Sequence, residues 1–322
     1  MRVLFLLALA ASCGAQSTPD RVIQSDADIG NLAFSADGNT LAANCRDGKV
    51  RLWDPRSGAL KRTVPREQGD TSVTMPSPAD ILGTVGSGGI IRVWDLRTGE
   101  LKRRLSNVPK RTRSLAFSSD RKLVAGSGRT SNTGSEETVR LWDDAGKERF
   151  AAPAGLGGTS VMALSPDGGT LVAASYDTNV RAWSTRNGEL LRLIEELPVA
   201  MFAMVFSPDG KYLATAGVDA TVYLWDTKTW KLARKLTGQP EMIQSMDFSP
   251  DGRRILTGGF SDLTTQHPVT IILWDVASGK ALRSLPAPHA VRAVAFSPDG
   301  RLAATACQKD VSLWTLPAAE TR

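Results

Sequence analysis

The sequence predicts an all-β fold, a single domain built from seven copies of one four-strand unit. An apolar strand, a Ser-Pro-Asp-Gly turn, a second apolar strand and a Val-Arg-Leu-Trp-Asp strand recur in that order. Seven tryptophans, Trp53, Trp94, Trp142, Trp183, Trp225, Trp274 and Trp314, stand 40 to 49 residues apart. The second strands, such as Thr170 to Ala174, Tyr212 to Ala216 and Leu302 to Ala306, are small and apolar on both faces. Such strands need cover on both sides, which neighbouring copies provide.

Each element has a local cause. The turn reads Ser35-Ala36-Asp37-Gly38, Ser165-Pro166-Asp167-Gly168, Ser207-Pro208-Asp209-Gly210, Ser249-Pro250-Asp251-Gly252 and Ser297-Pro298-Asp299-Gly300, with degenerate copies at Ser77 to Asp80 and Ser118 to Asp120. Proline presets the turn's backbone angle, and Asp and Gly tolerate its tightest positions. Trp-Asp closes the third strand in five copies; Trp183-Ser184 and Trp314-Thr315 depart from it. The last copy has only three strands, and Arg21-Val22-Ile23-Gln24 precedes the first full copy as an orphan.

From about residue 20 to 316 this pattern resembles the WD-repeat (WD-40 type) family, whose repeats of roughly 40–45 residues each build one four-stranded blade. The resemblance implies a seven-bladed WD-repeat β-propeller closed by an N-terminal strand. It also implies a buried network joining a Gly-His before the inner strand to an Asp six residues before the Trp. That Asp stands at Asp47, Asp177 and Asp219, but only His289 occupies the His position, and its blade has Gln308 where the Asp belongs.

The first residues read as a leader. Met1-Arg2 is a positive end, Val3 to Ala11 an apolar run too short to span a bilayer permanently, and Ser12 to Ala15 are small. The expected organisation is a signal peptide over 1–15, a short linker over 16–20 and the propeller over 21–322. Cleavage after Ala15 frees a soluble chain starting at Gln16; cleavage before Cys13 lipidates that cysteine, behind a weak lipobox. Either way a bacterial-type exported protein is expected, periplasmic or extracellular.

Little in the sequence points to catalysis. Two histidines, His267 and His289, and no HExxH, GxSxG or phosphate-loop sequence argue against an enzyme, although a hydrolase- or lactonase-like propeller is the rival class. No metal, cofactor or Cys/His zinc cluster is expected. Cys45 and Cys307 precede their tryptophans by 8 and 7 residues, which suggests opposite sheet faces in neighbouring blades: a disulfide or two buried thiols. Trp230 replaces the turn glycine seen at Gly58, Gly99, Gly188 and Gly279, as an exposed anchor or as cover for its own strand. The run Lys102, Arg103, Arg104, Lys110, Arg111, Arg113 reads as a solvated face or a polyanion site. Net charge +6 and the lack of interleaved aromatics do not support nucleic acid.

The expected function is therefore a non-catalytic scaffold, monomeric, that binds a protein or peptide. Two copies are longer than the rest, at Gly128 to Glu137 and Phe260 to Pro268, where the second strand meets the third. They read as two walls across one mouth of the ring, or as idle loops, since surface loops accept length cheaply. Between them stand the first inner-strand residues, Gly30, Ser72, Arg113, Ser160, Phe202, Gln244 and Arg292. Arg113, Phe202, Gln244 and Arg292, with His289, are the expected partner-binding residues. Two arginines and an aromatic suit an acidic peptide.

Overall fold

A computed structural model describes residues 18–65, 70–74, 80–86, 89–105, 108, 112, 114–129, 137–195, 197, 200–261 and 269–317. Every regular element among them is a strand, and the strands form seven four-stranded antiparallel sheets. In blades one to six the spatial order follows the chain, from an inner strand to an outer one. Blade seven takes its outer strand from the other end of the chain: Arg21–Gln24 pairs antiparallel with Asp310–Thr315, Arg21 opposite Leu313 and Gln24 opposite Asp310. The expected ring closure is observed, and it leaves the third strand of blade seven without a bare edge.

The core is not one mass but seven, one between each pair of consecutive blades. The cluster between blades seven and one, for example, joins Ile23, Leu313 and Ala304 to Ile29, Leu41 and Trp53. Second strands of Ala, Val and Thr let the sheets converge, while Trp142 and Trp274 fill the space further out and are almost wholly enclosed. Burying such side chains contributes about 1.5–3 kcal/mol each. The tryptophan nitrogens are satisfied locally: Trp94, Trp225, Trp274 and Trp314 donate to Thr84, Thr215, Thr257 and Thr305 of the adjoining strand at 2.9–3.1 Å.

The lower face carries the Ser-Pro-Asp-Gly turns and the turns joining third to outer strands; the upper face carries the other connections. In the lower turns Ser207 Oγ donates to Asp209 at 2.5 Å and accepts from Tyr212 N at 2.9 Å, while Asp209 accepts from Lys211 N at 3.0 Å. The arrangement recurs at Ser35, Ser165, Ser249 and Ser297. These bonds favour the ionised carboxylate, so Asp37 is held down at about 2, chiefly by Ser35.

An arginine clip, unforeseen in the sequence, ties consecutive blades at their outer rim. Arg21 Nη1 donates to Ser57 O at 3.0 Å, Arg62 to Thr98 O, and Arg234 to Ser278 O at 3.2 Å. Each arginine lies on an outer strand, and each acceptor precedes the left-handed glycine of the next blade's third-to-outer turn. A Cβ on Gly58, Gly99 or Gly279 would crowd the arginine itself.

This geometry corrects the opposite-face placement of the two cysteines and decides between the two readings of Trp230. Cys45 and Cys307 are both buried and free. They occupy equivalent positions, four residues after Leu41 and Ala303, the partners of Trp53 and Trp314. A hairpin one residue shorter in blade seven, not a change of face, altered the spacing to tryptophan. Each thiol therefore faces the preceding blade: Cys45 lies in the cluster between blades seven and one, Cys307 in that between six and seven. They do not confront each other. Trp230 adopts the glycine's left-handed backbone, φ 55°, which costs a non-glycine residue roughly 1–2 kcal/mol, and packs half-buried on the cluster between blades four and five. It is packing, not a free anchor.

Candidate binding face

The upper mouth of the ring is shaped by β-bulges. In six blades the inner strand slips register against the second strand near its start. In five of them the extra residue is Gly30, Ser160, Phe202, Gln244 or Arg292, members of the expected ring. In blade two it is Thr71, one place before Ser72. A bulge turns its extra side chain out of the pleat. Phe202, Gln244 and Arg292 are each half-buried, in three consecutive blades. Gln244 Oε1 is enclosed and has no hydrogen-bond partner, an unused acceptor at the mouth. Arg113, the long insertions at 130–136 and 262–268, and His267 lie outside the described residues.

His289 is exposed on the same face, in the connection leading to the inner strand Val291–Phe296. Its backbone N–H is directed at the Cys307 sulfur, whose thiol burial pushes up to about 12. An apolar feature escaped sequence reasoning. Leu156 is 69% exposed, Tyr176 48% and Val218 44%, all on upper connections: Leu156 on that leading from blade three into blade four, Tyr176 in blade four and Val218 in blade five. They are not loosely held: Leu156 N donates to Asp177 Oδ2 at 3.1 Å, Tyr176 N to Gly158 O at 2.9 Å, and Asp177 is gripped by Arg181 at 2.9 Å. The signal was legible only as an aromatic and two aliphatics at turns that elsewhere carry charge, such as Arg46.

A family model for the WD domain, G-beta repeat, matches residues 18–54, 156–184, 197–226, 230–264 and 279–315. The chain belongs to the WD-repeat family. It is 29% identical over 157 residues to telomerase protein component 1 of Rattus norvegicus, a match covering 48% of this chain and 6% of that protein. It is also 29% identical over 183 residues to Striatin-4 of Homo sapiens, covering 53% of this chain and 24% of that protein. The WD-repeat chain thus spans a small part of either relative's length. Both relatives are mammalian, and the comparisons lend no support to a bacterial origin.

Against the family pattern, this WD-repeat protein rebuilds the buried network with other residues. Asp47 and Asp177 accept from Arg51 and Arg181, four residues on, and Asp219 from Tyr223 at 2.6 Å. In blade six Gly238-Gln239 stands where Gly-His is usual. Trp274 donates to Thr257, Thr257 to Gln239 Oε1 at 2.8 Å, and Gln239 Nε2 to Thr270 at 2.9 Å. Reading Gly-Gln as a substitute for Gly-His would have found it.

Lower in the channel, Asp247 turns away from the Met246 and Phe248 core and accepts from Phe296 N at 2.8 Å across to blade seven. Burial pushes its carboxyl up to about 7, although two backbone N–H groups oppose the shift. At the corresponding position the other described inner strands carry Ala33, Thr74, Ala116, Ala163, Val205 and Ala295. Among the described residues no group of three or more His, Cys, Asp or Glu side chains is placed to hold a metal ion.

Proposed function

We propose that this WD-repeat propeller is a non-catalytic interaction module that holds a protein or peptide partner across its upper mouth. The observation that carries this is the bulged inner strands, which set Phe202, Gln244 and Arg292 at the mouth of three consecutive blades, on the same face as the exposed Leu156, Tyr176 and Val218. Aromatic and arginine anchors on a rigid frame, surrounded by side chains that exclude water, suit a protein contact. The partner that fits carries a carboxylate for Arg292 and an apolar side chain for the surface of blades four and five. Gln244 Oε1 gains a donor in such a complex.

The first fifteen residues support export of the chain: Arg2, the apolar run from Val3 and the small residues to Ala15. Placement in a bacterial envelope, as a soluble or Cys13-lipidated monomer, rests on that leader alone. Fractionation with N-terminal sequencing checks it; an intact Met1 on cytoplasmic protein overturns it.

Affinity capture tests the binding face. Phe202→Ala with Arg292→Ala is expected to abolish recovery of the partner that the parent chain retains, with the melting temperature within a few degrees, since half-buried mouth residues support little of the core. Full capture by the double variant moves the site elsewhere.

A further inference from the structure

The seam between blades six and seven has a polar fastening beside its apolar cluster: three side chains of blade six take hold of blade seven there. Ser245 Oγ accepts from Val294 N at 3.0 Å, and Asp247 Oδ2 accepts from Phe296 N at 2.8 Å. The inner strand Met242–Phe248 thus occupies N–H groups on the free edge of the next inner strand, Val291–Phe296. Below them Arg254 donates to Gly300 O at 3.0 Å and to Pro317 O at 2.8 Å, its guanidinium 5.8 Å from the centre of the Phe296 ring. At the position of Asp247 every other blade has Ala, Val or Thr, and at that of Arg254 none has a charge.

The ionisable groups around Asp247 are engaged elsewhere. Arg254 is turned to its two carbonyls, and Arg292 stands at the opposite end of its strand. The Cys307 thiol, on the second strand of blade seven, is kept neutral by burial, and Asp251 in the turn below accepts from Ser249 Oγ at 2.5 Å. The flanking inner strands Met201–Phe206 and Ile29–Phe34 carry no charge, and Tyr212 packs on the apolar cluster between blades five and six. Burial therefore governs the Asp247 carboxyl and lifts it to about 7, opposed by the N–H groups of Phe296 and Phe248. A seam that parts enough to hydrate the carboxylate returns it toward its ordinary 3.8. The closed seam accordingly keeps the proton and the parted seam releases it.

Blade seven carries Arg292 and His289, whereas Phe202 and Gln244 belong to blades five and six, so this seam crosses the candidate binding face. We propose that the Asp247 fastening is a proton-controlled joint between blades six and seven. With the carboxyl neutral, the inner strand of blade seven is held to that of blade six, and Arg292 is set relative to Phe202 and Gln244. With it ionised, the seam loosens and that setting is lost. As a control on binding, the joint rests on the reading that the partner is held across the upper mouth; as a joint, it stands on the seam alone.

The test uses the full chain with no partner present. Hydrogen exchange at the Val294 and Phe296 amides, corrected for intrinsic rates, is expected to quicken by up to about tenfold per pH unit between about 5 and 7 and to level off above. Asp247→Asn keeps an acceptor without the charge, and exchange stays slow across that range. Asp247→Ala, which gives blade six the residue most blades carry, exchanges fast at every pH. Nitroxides attached at Phe202→Cys and Arg292→Cys read the mouth: the distances between them should shift or broaden from about pH 5 to about pH 8, and stay fixed when Asp247→Asn is added. Exchange that ignores pH, a pH dependence that survives in either Asp247 variant, or distances unmoved by pH overturns the joint. Full partner capture by the Phe202→Ala, Arg292→Ala variant, beside a joint that answers to pH, overturns only its bearing on binding.

Discussion

At the residue scale, two kinds of carboxylate give the protein opposite responses to pH. Asp247 has a raised pKa in the folded chain, about 7 against 3.8, so the folded state holds its proton longer than the unfolded state. Stability from this group is greatest below about pH 4 and declines as pH rises through 7. The turn aspartates behave the other way: Asp37 is lowered to about 2 and Asp120, Asp167, Asp209 and Asp299 are lowered too. Their contribution is present above about pH 4 and lost as pH falls toward 2. Melting temperature against pH should therefore peak between about 4 and 6. Asp247→Asn keeps an acceptor for Phe296 N and is expected to flatten the alkaline limb alone; an unchanged limb denies the burial of that carboxyl. Thr257→Val, which strands both the Trp274 N–H and Gln239, should cost about 2–4 kcal/mol in denaturant unfolding. Gln239 itself shows the limit of reading one sequence: the position was legible, but an amide doing the work of an imidazole was not.

Elements follow the repeat where turns keep their length and depart from it where they do not. The strand order, the Ser-Pro-Asp-Gly reversals and the orphan strand were all legible, because alternation and turn chemistry are local. The cysteines were placed on opposite faces because positions were counted from tryptophan across a hairpin that shortens by one residue. The same change of one residue in the blade-three turn goes with Arg103, at the clip position of blade two, bonding Arg121 O and not the next blade's turn, and no local signal announces it. The clips themselves make a measurable prediction. Arg21→Ala, Arg62→Ala and Arg234→Ala are at separate junctions and should add, each costing about 0.5–1 kcal/mol. A triple variant as stable as the parent shows that the clips are ornamental. Deleting residues 18–25 removes Ile23 from the cluster between blades seven and one and bares the strand Asp310–Thr315. It is expected to lower the melting temperature by several degrees or more; coincident melting curves contradict closure by this strand.

On the scale of the whole molecule, a ring of seven interfaces with no central mass produces two unlike faces. The lower one is a repeat of hydrogen-bonded aspartate turns. The upper one carries the bulged mouth, whose residues were legible as equivalent positions because the repeat indexes them, although the bulges that expose them were not. The apolar surface of blades four and five was missed because Leu156 and Tyr176 are brought together by a loop folded onto a neighbouring turn. Function on this account follows from holding those side chains still. The most direct measurement places a photoreactive phenylalanine analogue at position 202 in one chain and at position 228, in a lower turn, in another. Illumination in the presence of the captured partner should give a covalent adduct from position 202 and none from 228. An adduct from 228, or none from 202 while the partner is retained, contradicts a partner held across the upper mouth.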